Sequence, residues 1–233
     1  MCTNYEPFLD PNFIARFGIS LPPVEFEPEA YPGYLAPVIR NIVRKNEDAP
    51  LGRECFAARF GLVPYWAKPE DVEKPRMPFA TYNARKETVG ALASYKHAWK
   101  NRQFCLIPVN SFYEPSWETG KAVRWKMSLG SGEPFALAGI WERWHRNGIT
   151  VESFSMLTVN ADDHPIMNRM HRANEEKRMP IILREHDYDR WLNATVEEAF
   201  FLCRQFPADL MVAAASPANR VKASPNIVHK LHI

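Results

Sequence analysis

The sequence predicts an α+β fold: a mainly antiparallel, barrel-like β-sheet with peripheral helices, with residues 1–233 forming a single domain. Three observations carry this. Proline is abundant, 20 residues in 233 against only 10 glycines, which argues against long helices and for strands joined by stiff turns. Residues 123–129 alternate: Val123, Trp125, Met127 and Leu129 are apolar while Arg124, Lys126 and Ser128 are polar, the pattern of a half-buried antiparallel strand. Short apolar segments at hairpin spacing outnumber segments of helical period.

Taken in order, residues 20–38 are Pro-rich and acidic and read as an extended loop on the surface. Residues 54–63 read as a strand ending at Pro64. Residues 68–78, rich in proline and lysine, read as loop. Val89, Leu92, Tyr95 and Trp99 fall at near-helical spacing and predict a helix over 89–100. Phe104-Cys105-Leu106-Ile107 is a continuous apolar run, short enough for a strand buried on both faces. Further strands are expected over 135–141, 154–159 and 179–183. Thr195-Val196-Glu197-Glu198 is a capping box that opens a helix to about Gln205. Residues 210–214 read as a last strand.

Composition excludes several classes. A 46% hydrophobic and 24% charged chain is globular rather than disordered. No apolar run approaches the roughly 18 residues of a membrane helix. The start, Met1-Cys2-Thr3-Asn4-Tyr5-Glu6, has no basic region or apolar stretch, so no secretory signal is read and a cytoplasmic location is expected. The cysteines at 2, 55, 105 and 203 form no Cys-x-x-Cys pair and no zinc-spaced cluster with histidine. Free thiols are expected, with no metal and no organic cofactor; Cys55, Cys105 and Cys203, in apolar surroundings, read as buried small hydrophobes. His97, His145, His186, His229 and His232 read as surface or structural. Residues 51–150 hold 15 basic against 9 acidic side chains. A net +6 block with Tyr65, Trp66, Tyr82 and Trp99 is what a single-stranded nucleic-acid groove needs.

Cys2 is distinguished by position. Initiator methionine is normally removed before a small residue, which would leave an N-terminal cysteine with both an α-amine and a thiol. Their reference pKa values, about 7.7–8.0 and about 8.5, leave both partly nucleophilic at neutral pH. The pair can use its own amine as a general base. It can also condense with an aldehyde to a Schiff base that the thiol closes into a five-membered thiazolidine.

Other segments fall in order behind it: Phe60-Gly61-Leu62-Val63-Pro64-Tyr65-Trp66, Thr81-Tyr82-Asn83-Ala84-Arg85-Lys86-Glu87-Thr88, Cys105-Leu106-Ile107-Pro108, Phe112-Tyr113-Glu114, Ala138-Gly139-Ile140-Trp141, Met170-His171 and Arg178-Met179-Pro180-Ile181-Ile182-Leu183. With Met1-Cys2 at the front, this set resembles the SRAP family, the SOS response-associated peptidases, from residue 2 to about 183. The resemblance implies a DNA-damage role: binding abasic sites in single-stranded DNA and forming a thiazolidine crosslink through the N-terminal cysteine. It also implies self-removal of Met1 and admits an abasic-site lyase activity. By the same resemblance, Cys2 matches the nucleophile, and Asn83 would hold the sugar or the Cys2 amine. Glu114 would shuttle protons, and His171 would assist opening of the sugar and reversal of the crosslink. Arg85 would contact phosphate. Trp66 and Pro37 resemble the apolar wedge that interrupts base stacking, with Tyr65 beside them.

The sequence also departs from the family pattern. Thr3 and Asn4 stand where glycine and arginine are usual, Ser111 and Pro115 flank the Phe-Tyr-Glu element, and the tail from Val221 to Ile233 matches poorly. Arg172 to Lys177 separate His171 from Arg-Met-Pro, and His164 before Pro165 competes with it for the histidine role. Two other readings stay open: an N-terminal-nucleophile hydrolase acting on a peptide or amide, and a non-covalent binder of single-stranded DNA. A monomer suffices for one lesion.

Overall fold

The computed structural model describes residues 2–42, 52–74 and 79–217. The tail from Val221, with His229 and His232, lies outside them, as do residues 75–78 of the expected 68–78 loop. The strands are β1 (Asn4–Pro7), β2 (Leu35–Ile42), β3 (Gly52–Phe60), β4 (Asn83–Arg85), β5 (Phe104–Ser116), β6 (Val123–Leu129), β7 (Phe135–Arg146), β8 (Ile149–Asn160), β9 (Arg178–Pro180), β10 (Ile182–Leu183) and β11 (Met211–Ala215). The helices are short: α1 (Phe13–Phe17), α2 (Pro69–Val72), α3 (Lys96–Lys100), α4 (Tyr188–Asn193) and α5 (Val196–Leu202).

Five strands close a barrel in the order β2, β3, β8, β7, β5, the ring being completed by the β5–β7 and β5–β2 pairings. The described pairings are antiparallel except where β8 runs parallel to β3 and to β4. β5 outlasts the barrel. Residues 104–109 pair with β7, 109–113 with β1, and 112–115 with β6. β11 then adds to β6.

The apolar run at the start of β5 is buried on both faces, as its composition predicts. Cys105 and Ile107 pack inside the barrel with Val38, Phe60 and Phe154. Phe104 and Leu106 point the other way, to a layer holding Trp99 and Trp191. Trp191 Nε1 donates to the Cys105 carbonyl at 2.9 Å and ties α4 to the barrel wall. Gly139 sits where β5, β7 and β8 come closest. A Cβ there would lie 2.8 Å from Ile107 Cδ1, 2.9 Å from Cys105 Sγ and 3.0 Å from the Ser155 carbonyl.

Several expectations hold in place and type. The alternating strand is β6, the predicted strands over 54–63, 135–141 and 154–159 fall within or overlap β3, β7 and β8, and the Thr195/Glu198 capping box opens α5. The segment 20–38 is not surface loop to its end, because β2 begins at Leu35 and residues 36–38 are buried. Proline is tolerated there because β2 meets β5 only at Ile39, leaving Pro37 paired on one side, with Ala57 of β3. The helix expected over 89–100 is a chain of turns that becomes helical only at Lys96. Gly90 interrupts it, and its missing Cβ makes room for the Trp99 ring, 3.2 Å from where that atom would stand. Cys105 and Cys203 are buried as expected, whereas Cys55 is only partly so. Among the described residues no helix is long and apolar enough to cross a membrane.

Two predictions follow from this packing. Gly139→Ala should destabilise the fold by about 1–3 kcal/mol through overpacking; an unchanged urea midpoint would contradict the close approach of the three strands. Burial also pushes the Cys203, Cys55, Tyr95 and Tyr188 groups up to about 12. In the unfolded chain thiols ionise near 8.5 and phenols near 10. The native state then holds the extra protons, so stability present below about pH 8.5 is lost progressively as pH rises toward 12. Thermal denaturation between pH 7 and 10.5 at constant ionic strength should show a falling Tm, and a flat profile would show these groups to be solvated.

Candidate active site at the N-terminal cysteine

β1 pairs with the outer half of β5, Asn4 opposite Tyr113 and Tyr5 opposite Phe112. This pairing carries Cys2 to the strand that bears Glu114. Cys2 is fully buried, and its Sγ donates to the Asn4 carbonyl at 3.4 Å. Burial pushes the thiol well above its ordinary range, and the negative charge of Glu114 adds to the effect. The thiol is therefore protonated at neutral pH in the chain that retains Met1.

Asn83 opens β4, which lies parallel to β8 with Asn83 opposite Met156. Its side chain is directed to the N-terminal segment, where Nδ2 donates to the Cys2 carbonyl at 2.6 Å. A carbonyl can only accept, so this contact fixes which amide atom is nitrogen. The other, Oδ1, is buried without a hydrogen-bond donor among the described residues. The Asn83 carbonyl accepts from Tyr95 Oη at 2.9 Å, which fixes β4 from below.

Glu114 is buried on β5, its side chain 1% exposed, and its Oε2 lies 2.8 Å from His171 Nε2. His171 stands in a loop bridged to the end of β5 through Ser116, and its backbone N–H donates to the Pro115 carbonyl at 2.6 Å. Its φ is +60°, a conformation that costs a non-glycine residue roughly 1–2 kcal/mol. The two candidate histidines differ in their partners. His164 Nε2 faces the Phe206 carbonyl at 2.9 Å, and its Nδ1 accepts from the backbone N–H groups of Ile166 and Met167 at 3.2 and 3.1 Å. Both of its ring nitrogens are engaged in holding turns together, whereas His171 faces the buried carboxylate.

The residues expected to touch DNA are placed less uniformly. Arg85 shares β4 with Asn83 two residues away, hence on the same face. Its side chain is about half exposed and pairs with Glu176 at 2.7 Å. Tyr65 and Trp66 are exposed on the segment after β3. Tyr65 lies over the His97 ring at 4.7 Å, and Trp66 stands edge-on to Phe79 at 5.3 Å while its Nε1 donates to the Ala93 carbonyl. They are tied to the β7–β8 hairpin, Arg146 donating to the Tyr65 carbonyl. Pro37 is buried in mid-strand and offers no wedge to solvent in this conformation.

Three residues that sequence reasoning passed over belong to the site's frame. Tyr95 supports Asn83 as described. Arg124 Nη2 donates to Asn4 Oδ1 at 2.7 Å, pairs with Glu29 at 2.8 Å, and lies over the Tyr113 ring at 3.4 Å. Lys177 is buried under the His171 loop. In the sequence Arg124 reads as the polar half of an alternating strand and Lys177 as part of a charged turn; nothing local marks either. Among the described residues no group of three or more His, Cys, Asp or Glu side chains could hold a metal ion.

The family model described as SOS response associated peptidase (SRAP) matches residues 1–220. The chain belongs to the SRAP family. Among its relatives is the abasic site processing protein YoqW of Bacillus subtilis, 28% identical over 200 residues that span 83% of this chain and 80% of the relative. The abasic site processing protein HMCES of Xenopus tropicalis is 26% identical over 178 residues, 64% of this chain and 48% of its own length. A structural-genomics protein of Bordetella bronchiseptica superposes with a TM-score of 0.84 at 34% identity, covering 93% of this chain and all of that one. A Bacteroides thetaiotaomicron protein shares the SRAP chain's fold at 22% identity, with a TM-score of 0.78.

Burial and the protonated state of the thiols give a direct test. At pH 7.5 a thiol-reactive disulfide reagent should label only a small fraction of the cysteines in native chain that retains Met1, and all four after unfolding in urea. Fast labelling of Cys2 in the native chain, located by peptide mass, would contradict its placement.

Proposed function

We propose that this chain captures abasic sites in single-stranded DNA as a covalent thiazolidine through Cys2. The observation that carries the reading is convergence. Residues 2, 83, 114 and 171, far apart in sequence, are brought together: Asn83 contacts Cys2 at 2.6 Å, the Glu114 charge acts on the Cys2 thiol, and His171 lies 2.8 Å from Glu114. The names of the relatives, abasic site processing proteins, supply the substrate class.

The reactive form is the chain without Met1. Hydrolysis of the Met1–Cys2 bond consumes one water and frees the α-amine; the peptidase activity in the family's description is read here as this cleavage, carried out by the same site. The new amine brings N–H donors to Asn83 Oδ1, the buried acceptor that has none among the described residues. The ring-opened abasic sugar presents an aldehyde. The amine adds to its carbon, the carbonyl oxygen leaves as water, and an imine remains. The thiol then adds to the imine carbon; Glu114 takes its proton and returns it to the ring nitrogen, so the net loss is one water. His171, 2.8 Å from Glu114, serves the sugar hydroxyl during ring opening and in the reverse reaction. If β-elimination of the 3′ phosphate outruns thiol closure, the same imine gives lyase activity. Arg85, on the face of β4 that carries Asn83, takes a neighbouring phosphate, and the exposed Trp66 and Tyr65 offer stacking surface farther along the strand. One chain serves one lesion.

The test uses protein whose mass shows that Met1 is gone, mixed with single-stranded DNA carrying one abasic site and run on a denaturing gel. A heat-stable shifted band is expected, absent with intact DNA and absent in Cys2→Ala. Glu114→Gln should slow its formation by about 10²–10⁴-fold, the usual contribution of a positioned acid–base group. No band from the wild-type chain lacking Met1 would overturn the covalent reading. Binding without a band would then favour a plain single-strand binder, and turnover of an amide substrate without DNA a hydrolase.

A further inference from the structure

Lys177 takes no part in the steps above, yet its ammonium group is enclosed beneath the loop that carries His171. The residue is 7% exposed. Its Nζ donates to three successive carbonyls: Met170 at 2.7 Å, His171 at 3.3 Å and Arg172 at 2.6 Å. An ammonium has three N–H bonds, and each has an acceptor. Among the described residues Nζ forms no ion pair with a carboxylate. A buried charge without a counter-ion is costly, and an apolar side chain would serve simple packing better. The shape of the loop accounts for the lysine. Three consecutive carbonyls turn to one point only if the backbone curls around it, and His171, at the centre of the curl, has φ +60°. Without a cation the Met170 and His171 carbonyls would lose this donor, the Arg172 carbonyl would keep only the Glu175 N–H at 3.0 Å, and the left-handed residue would be free to relax. On its other side the same residue meets β5: its N–H bonds the Pro115 carbonyl and its Nε2 meets Glu114.

We propose that Lys177 is a positioning residue: its ammonium holds residues 170–172 in the curl that presents the His171 imidazole to Glu114. This rests on the reading of Glu114 and His171 given above for its effect on rate, although the contact itself can be tested without DNA. The sequence between His171 and Arg178 then has a purpose, since the turn is long enough for the Lys177 side chain to fold back under its own start.

Lys177→Met keeps most of the stem and removes the charge. In chain lacking Met1, at saturating abasic single-stranded DNA, the substitution should slow crosslinking by about 10²-fold, the scale of a misplaced catalytic group. In a Cys2→Ala background it should leave the affinity for the same DNA unchanged. Lys177→Met combined with His171→Ala should be no slower than His171→Ala alone, because both remove one function. Lys177→Ala, which leaves space for a small cation, should recover rate in millimolar ethylammonium chloride, and His171→Ala should not. Independently of DNA, the NMR signal of the His171 ring protons, set by the Glu114 carboxylate 2.8 Å from Nε2, should be observable in the wild-type chain and displaced in Lys177→Met that is folded by circular dichroism. Multiplicative slowing in the double variant, or an undisplaced NMR signal in Lys177→Met, would overturn the proposal. If the wild-type chain forms no crosslink, the covalent reading fails while the NMR comparison still decides the role of Lys177.

Discussion

β5 is the element on which the other features depend. A barrel strand of ordinary length would stop near Val109, where its pairing with β7 ends. β5 continues for seven more residues, and an extended strand must satisfy its backbone groups wherever it goes. The extension is flanked by β1 and β6. The first of these pairings draws in the N-terminus, because β1 is the only described strand ahead of β2. Cys2 is thereby delivered beside Glu114 by backbone hydrogen bonds rather than by any side-chain contact of its own. The same extension ends at Pro115 and Ser116, which receive the His171 loop. Glu114 and the His171 loop thus hang from one continuous strand.

The cluster formed in this way is expensive. It buries a carboxylate, an amide, an imidazole and a thiol at the mouth of an apolar barrel. Such groups are tolerated when each finds a partner, and the low local dielectric then makes each contact stronger than it would be in water. Asn83 is engaged through the Cys2 carbonyl and Glu114 through His171. The price of holding His171 at φ +60° is met by the contacts on both sides of it, the Pro115 carbonyl and the Lys177 ammonium.

The departure at Asn4 gains a physical account. Asn4 is not a passive replacement for arginine. Its side chain accepts from Arg124 on β6 and donates to Glu29, so a guanidinium is present beside β1 although it comes from another strand. That guanidinium is stacked on Tyr113 and paired with a carboxylate. It fastens the N-terminal segment to β6 two residues from Cys2. Ser111 likewise has a task, bonding Glu6 at 2.9 Å across the β1–β5 pair.

What the sequence determined by itself was local or carried by motif. The alternation in 123–129, the two-sided burial of 104–107 and the Thr195 capping box are short-range patterns, and the structure has a strand, a fully buried run and a capped helix at these places. The SRAP resemblance, read from ordered motifs, picked out Cys2, Asn83, Glu114 and His171, and the geometry brings these four together. Tertiary structure decided the rest. β2 was hidden by prolines because a strand paired on one side at that point tolerates what a central strand would not. The periodic residues at 89–99 did not make one helix, because Gly90 yields to the Trp99 ring. Pro37 faces Ala57 in the sheet rather than solvent. His164 and His171 differ in their partners, two turn-closing contacts against one buried carboxylate. Lys177 and Arg124 carry the same signal in sequence as any exposed cation. Burial of a charge depends on which carbonyls or carboxylates surround it, and those neighbours are set by chain crossings between residues far apart in sequence, which no local pattern encodes.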